Sequence, residues 1–122
     1  MIEETYCSFK VAKLLKEKGF DEDCYQKYDD TGYLSLNNVG YINSEKPSED
    51  FYALAPTQQM AMTWLREVHK IHIVIGWLPN SKLFFTHICD MNSGYPKRNP
   101  HEYTSYEEAV EAALKYVLEN LI

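Results

Sequence analysis

Hydrophobic residues recur along this chain with two different periods. In SFKVAKLLKEKGF the spacing is helical: Val11, Leu14 and Leu15 share a face with Cys7. Ser8 is placed to cap this helix, because its hydroxyl can accept from an amide of the first turn. Gly19 stops it, since glycine takes the left-handed conformation cheaply, and Phe20 then falls where a Schellman motif returns an apolar side chain onto Leu15. A second helix starts after Thr57, with Met60, Ala61, Trp64, Leu65 and Val68 as its apolar stripe. Gln58, Gln59, Thr63, Arg66, Glu67 and Lys70 make the opposite face. The last helix begins at TSYEE with a capping box, Ser105 with Glu108 or, one register earlier, Thr104 with Glu107. Tyr106, Val110, Ala113, Leu114, Val117 and Leu121 form its stripe, which predicts packing to the final residue.

Between the helices the period falls to two. IHIVIGW sends Ile71, Ile73, Ile75 and Trp77 one way and His72, Val74 and Gly76 the other. LPNSK is a turn, and KLFFTHIC returns as the second strand of a hairpin. An earlier hairpin, CYQKYDDTGYLSL, bends at Asp29-Asp30-Thr31-Gly32. FYALA is a strand ended by Pro56, and the polar stretch 37–50 is a loop with a short strand at Val39 to Ile42. Asp90 to Glu102, with its prolines, glycine and asparagines, reads as a second long loop. The predicted order is helix, hairpin, short strand, helix, hairpin, helix. This is an α+β fold, an antiparallel sheet built from two hairpins with three helices packed on it, in one domain spanning 1–122.

Charge narrows the partners. The net charge of −6 disfavours nucleic acid and anionic lipid, which need clustered Lys and Arg. The densest basic group, Lys10, Lys13, Lys16 and Lys18, is interrupted by Glu17 and followed by Asp21, Glu22 and Asp23, as on a solvated helix face. No apolar run reaches the ~20 residues that span a bilayer, and the start of the chain is acidic, without the apolar core of a secretory leader. Three widely spaced cysteines, Cys7, Cys24 and Cys89, fit reduced thiols in a cytoplasmic protein.

Four groups of residues could carry chemistry. His69, His72, His87 and Cys89 are a chemically suitable set of zinc ligands if the second hairpin brings them together; the bland reading makes His69 a helix-end residue and His72 a half-buried strand residue. Cys89 with His87 or His101 and Asp90 could form a nucleophile with its base, against a small apolar core cysteine. Asp29-Asp30 and Glu107-Glu108 have adequate roles in a turn and a helix cap and are not a glycosidase pair. The common phosphate-, dinucleotide- and zinc-binding motifs are absent, so no cofactor is expected. The outlying feature is tyrosine, ten residues of 122. Tyr25, Tyr28 and Tyr33 on the first hairpin and Tyr95 and Tyr103 in the late loop form a candidate binding surface, tyrosine being enriched at interfaces.

Three stretches, VAKLLKEKGF, APTQQMAMTWLREVHKIHIVI and YTSYEEAVEAALKYVLENLI, resemble a family of small uncharacterised proteins of phages, prophages and gut bacteria. The resemblance covers the helices and the central strand, a little under half the chain, and supplies no catalytic residue. It implies an accessory product that acts on another protein. The expected function is therefore protein binding, to another protein or to a second copy of itself. The alternative is a small metal- or cysteine-dependent enzyme built on His69, His72, His87 and Cys89. A third reading, an acidic mimic of DNA, fits poorly with the interleaving of Lys among Asp and Glu.

Overall fold

Ser8 opens the first helix as its composition requires: its side chain accepts a hydrogen bond from Val11 N–H at 3.2 Å, and α1 runs Phe9–Glu17. The helix closes with the expected Schellman geometry. Gly19 takes φ +88°, its N–H donates to Lys16 C=O at 3.2 Å, and Phe20 N–H donates to Leu15 C=O at 2.9 Å. Phe20 and Leu15 are both buried. The computed structural model describes residues 4–24, 26–36 and 53–122. The predicted loop of 37–50, the strand at Val39 to Ile42 and Tyr25 lie outside them.

The chain divides into two compact units, Met1–Thr57 and Gln58–Ile122. In the first, β1 (Gln26–Tyr28), β2 (Leu34–Leu36) and β3 (Ala53–Leu54) form an antiparallel sheet in the order β2-β1-β3. Tyr28 opposes Leu34 across the hairpin and Ala53 on its other side. Asp29 shapes the connecting turn: its Oδ1 accepts from Thr31 N–H, Thr31 Oγ1 and Tyr33 N–H at 2.9, 2.6 and 3.0 Å. The Thr31 hydroxyl and then the Tyr33 amide hold the Asp29 carboxyl below its ordinary pKa. Gly32, at φ +88°, is also close to Phe9, whose ring carbon Cδ2 would stand 2.8 Å from a Cβ there.

In the second unit α2 (Gln58–Val68) leads into β4 (Ile71–Leu78), β5 (Leu83–Asp90) and β6 (Tyr95–Tyr103), and α3 (Tyr106–Asn120) follows. The sheet order is β4-β5-β6, antiparallel throughout. The hairpin strands pair in register from Ile71 with Asp90 to Leu78 with Leu83. Ile71, Ile73, Thr86 and Ile88 are buried on the face that α2 and α3 cover. The class is α+β, as the periodicities predict, with the antiparallel pairings divided, among the described residues, between two three-stranded sheets.

Three expectations change. Most of Asp90 to Glu102 is not a loop: Tyr95–Tyr103 is strand β6, and a turn joins it to β5. Its two prolines are tolerated because, among the described residues, β6 is an edge strand, where a missing N–H need not break a ladder. Gln58 belongs to the buried face of α2, its Nε2 donating to Glu107 C=O at 3.0 Å, whereas Val68 is 56% exposed. Finally, α3 buries Leu118 rather than Leu121, and Leu121 lies beyond the helix and exposed. The cap of α3 is Ser105, which accepts from Glu108 N–H at 3.1 Å, while the Glu108 carboxylate accepts from the Thr104 hydroxyl at 2.9 Å.

Candidate functional site

The histidine pair at the end of α2 is a joint. His69 N–H donates to Leu65 C=O at 3.1 Å, which continues the helical pattern by one residue. Lys70 then turns the chain with φ 59°, a left-handed conformation of the kind that ends helices. Its ammonium returns to Glu67 C=O at 3.0 Å, and its own carbonyl accepts from Met91 N–H at 2.8 Å. The His69 ring packs edge-on against Trp64 at 4.7 Å, with Nε2 buried and without a hydrogen-bond partner.

His72, by contrast, starts a strand. Residues directly opposed in an antiparallel pair share a face, so the pairing of His72 with Cys89 and of Val74 with His87 puts all four side chains on the face away from the helices. Two histidines and Cys89 thus share a face as the hairpin pattern implied, but His69 is turned to Trp64 instead. Among the described residues no group of three or more His, Cys, Asp or Glu could hold a metal ion. The His87 ring packs against Phe85 at 5.2 Å, so its nearest described ring contact is apolar. The four-residue zinc set is therefore not assembled, because the turn at Lys70 separates its first member from the sheet face.

The tyrosines divide between core and surface. Tyr28 is buried, its hydroxyl donating to Cys7 C=O at 2.7 Å and its ring 5.3 Å from Phe9. It cannot serve as a contact residue, because the strand alternation that places Gln26 and Tyr28 inward is the one that buries the sheet. Tyr33 is 69% exposed at the end of the turn. Tyr103 is half-buried at the end of β6, opposite Phe84, and its hydroxyl accepts from Asn99 Nδ2 at 3.2 Å. Tyr95 begins β6 opposite Asp90. Tyr25 is outside the described residues.

No family model matches this chain, and neither a curated protein nor a solved structure matches it.

The uncovered face of the second sheet holds more than the histidines. Register places Val74, Gly76 and Leu78 beside His87, Phe85 and Leu83 there. Val74 is 38% exposed there, while Trp77, paired with Phe84 on the opposite face, is 52% exposed near the end of β4. Among the described residues β4 is an edge strand of eight residues, IHIVIGWL, without proline, Asp, Glu, Lys or Arg. Edge strands usually carry such residues to block further pairing. The alternation in IHIVIGW signals a half-buried strand but does not say which strand ends at the edge, so the sequence alone carries no signal for this feature.

None of the three cysteines is in a disulfide. Burial, with the negative charges of Asp23 and Glu22, pushes the Cys24 thiol up to about 12, a protonated and unreactive state. Asp29-Asp30 and Glu107-Glu108 keep the turn and cap roles expected of them.

Proposed function

We propose that this chain is a protein-binding module, and that the partner docks on the face of the β4-β5-β6 sheet turned away from α2 and α3 and along β4, an edge strand among the described residues. The observation that carries the reading is β4 itself: eight residues without Asp, Glu, Lys, Arg or proline on a strand that is a sheet edge among the described residues, with Val74 exposed on the face away from the helices. Such an edge offers backbone donors and acceptors for an added strand, and the neighbouring side chains supply specificity. Exposed Tyr33 is a further contact candidate on the first unit. The resemblance to phage and prophage proteins supports an accessory role on a host protein, and three cysteines outside disulfides support a reducing, cytoplasmic setting.

The test is affinity capture from a host lysate with the native chain and with Val74→Lys, partners being identified by mass spectrometry. A lysine on an exposed edge blocks strand addition without disturbing the covered face. A stoichiometric partner that is retained by the native chain and lost by V74K, with unchanged circular dichroism, is the expected result. A second copy of the chain as partner would register as a dimer that V74K dissociates. Equal recovery with both chains, or no partner and no dimer with either, overturns the reading.

A further inference from the structure

A strand edge interrupted by a bulge is a costly feature, and β6 carries one. Phe85 pairs with Glu102 and His87 with Arg98, so Asn99, Pro100 and His101 together face the single residue Thr86. The bowed segment is built, not loose. Asn99 Oδ1 accepts from His101 N–H at 3.0 Å, its Nδ2 donates to the Tyr103 hydroxyl at 3.2 Å, and Pro100 fixes its own φ. Thr86 is left fully buried with a hydroxyl that has no hydrogen-bond partner. The sheet gives up ladder bonds and a satisfied polar group here, and such local sacrifices concentrate at binding and catalytic sites.

Beside the bulge is a cleft of about 260 Å³ lined by Ile88, Lys97, Asn99, Pro100, His101 and Tyr116. Ile88, the Pro100 ring and the Tyr116 ring give it an apolar lining. Lys97 and His101 give it an ammonium and an imidazole. The Lys97 ammonium stands 6.0 Å from the centre of the Tyr116 ring, at the outer limit of a cation–π contact. Among the described residues no carboxylate pairs with it. In a chain with 18 acidic residues against 12 basic ones, none of the six that line this cleft is acidic.

We propose that this cleft binds a small organic acid, its carboxylate held by Lys97 and His101 and its flat apolar body lying between Pro100 and Tyr116 over Ile88. The volume falls below the ~300–1,000 Å³ of drug-sized sites, which restricts the ligand to about one ring. An ammonium and an imidazole supply donors to an anion, and an apolar floor rewards a ring that inorganic anions lack. This site is separate from the sheet edge proposed for the protein partner and does not depend on it.

Benzoate, benzamide and inorganic phosphate are the probes, followed by the amide NMR spectrum of the full chain. Benzoate is expected to shift the signals of Lys97, His101 and Tyr116 saturably. Benzamide and phosphate, each lacking one half of the recognition, are expected to bind about tenfold more weakly or worse. Lys97→Met should weaken benzoate by about tenfold, as loss of a charge-assisted hydrogen bond does, while Lys115→Met, on the same helix as Tyr116 but outside the lining, should not. Equal binding of benzamide would reduce the cleft to an apolar dimple, and equal binding of phosphate to a surface charge. Either result, or no saturable shift with benzoate, overturns the proposal.

Discussion

The Phe85 ring occupies the space that a side chain on Gly76 would need. The two residues are direct cross-strand partners, and a Cβ on Gly76 would collide with Phe85 Cζ and Cε1. The glycine therefore lets an aromatic ring lie across the uncovered face of the sheet, where it also meets His87. Gly76→Ala must push the ring aside, at a cost of about 1–3 kcal/mol by analogy with overpacked sites. Phe85→Ala removes the obstacle, so the double variant should be more stable than the sum of the single changes implies, by about 1 kcal/mol. Denaturant unfolding of the four chains measures that coupling, and strict additivity would mean that the ring is not held over Gly76.

Thr86 provides a change that should stabilise the protein. Its side chain is fully buried and its hydroxyl has no partner. Thr86→Val replaces that hydroxyl with a methyl group of similar size and removes a desolvation cost of about 1–3 kcal/mol. The melting temperature should rise by a few degrees, on the scale of about 2–8 °C per kcal/mol for domains of this size range. A fall instead would show that the hydroxyl is satisfied in solution by an ordered water.

Two tyrosines of one hairpin should behave oppositely. Tyr28→Phe leaves the fold's shape intact but deprives the Cys7 carbonyl of its 2.7 Å donor, a loss of about 1–2 kcal/mol. Tyr33, 69% exposed, should tolerate serine within about 0.5 kcal/mol. Paired thermal melts decide it. A partner-binding test that changed both residues together would confuse unfolding with lost contact, so only Tyr33 is suitable for that purpose.

Local signals in the sequence were strong where one residue sets the geometry. Ser8, Gly19 with Phe20, and Ser105 each act within a few residues of the chain, and all three do what their chemistry requires. The alternation in IHIVIGW likewise separates the covered from the uncovered face without reference to anything distant. The misreadings arose where a partner elsewhere decides. Gln58 is polar yet buried because the Glu107 carbonyl meets it 49 residues away. Strand β6 was obscured because its prolines argue against any strand except one at an edge, and edge position belongs to the sheet, not to the segment. The histidine set looked plausible because spacing reports proximity along the chain, whereas the left-handed turn at Lys70 sends His69 towards Trp64. The cleft had no signal at all: Ile88, Lys97 and Tyr116 meet only through the packing of three separate elements.

The cysteines give a prediction in pH. Alkylating agents attack the thiolate, so reactivity follows both exposure and pKa. Cys24 is buried and its thiol is pushed up to about 12 by that burial and by Asp23 and Glu22. At pH 8 its thiolate fraction is therefore about one part in ten thousand, and Cys7 is shielded by complete burial. Cys89 is the half-buried one, on the uncovered face. Iodoacetamide at pH 8 should modify Cys89 first, with Cys7 and Cys24 following only in denaturant. The sign for stability is also fixed. The raised Cys24 pKa makes a contribution that is fully present below the unfolded value of 9.0 and is lost as pH rises through the folded one. Replacing Cys24 with alanine should consequently reduce the stability lost between pH 9 and pH 11, read from denaturation midpoints across that range. Rapid labelling of Cys24 in the native chain, or an unchanged pH slope in the variant, would show that the thiol is open to solvent.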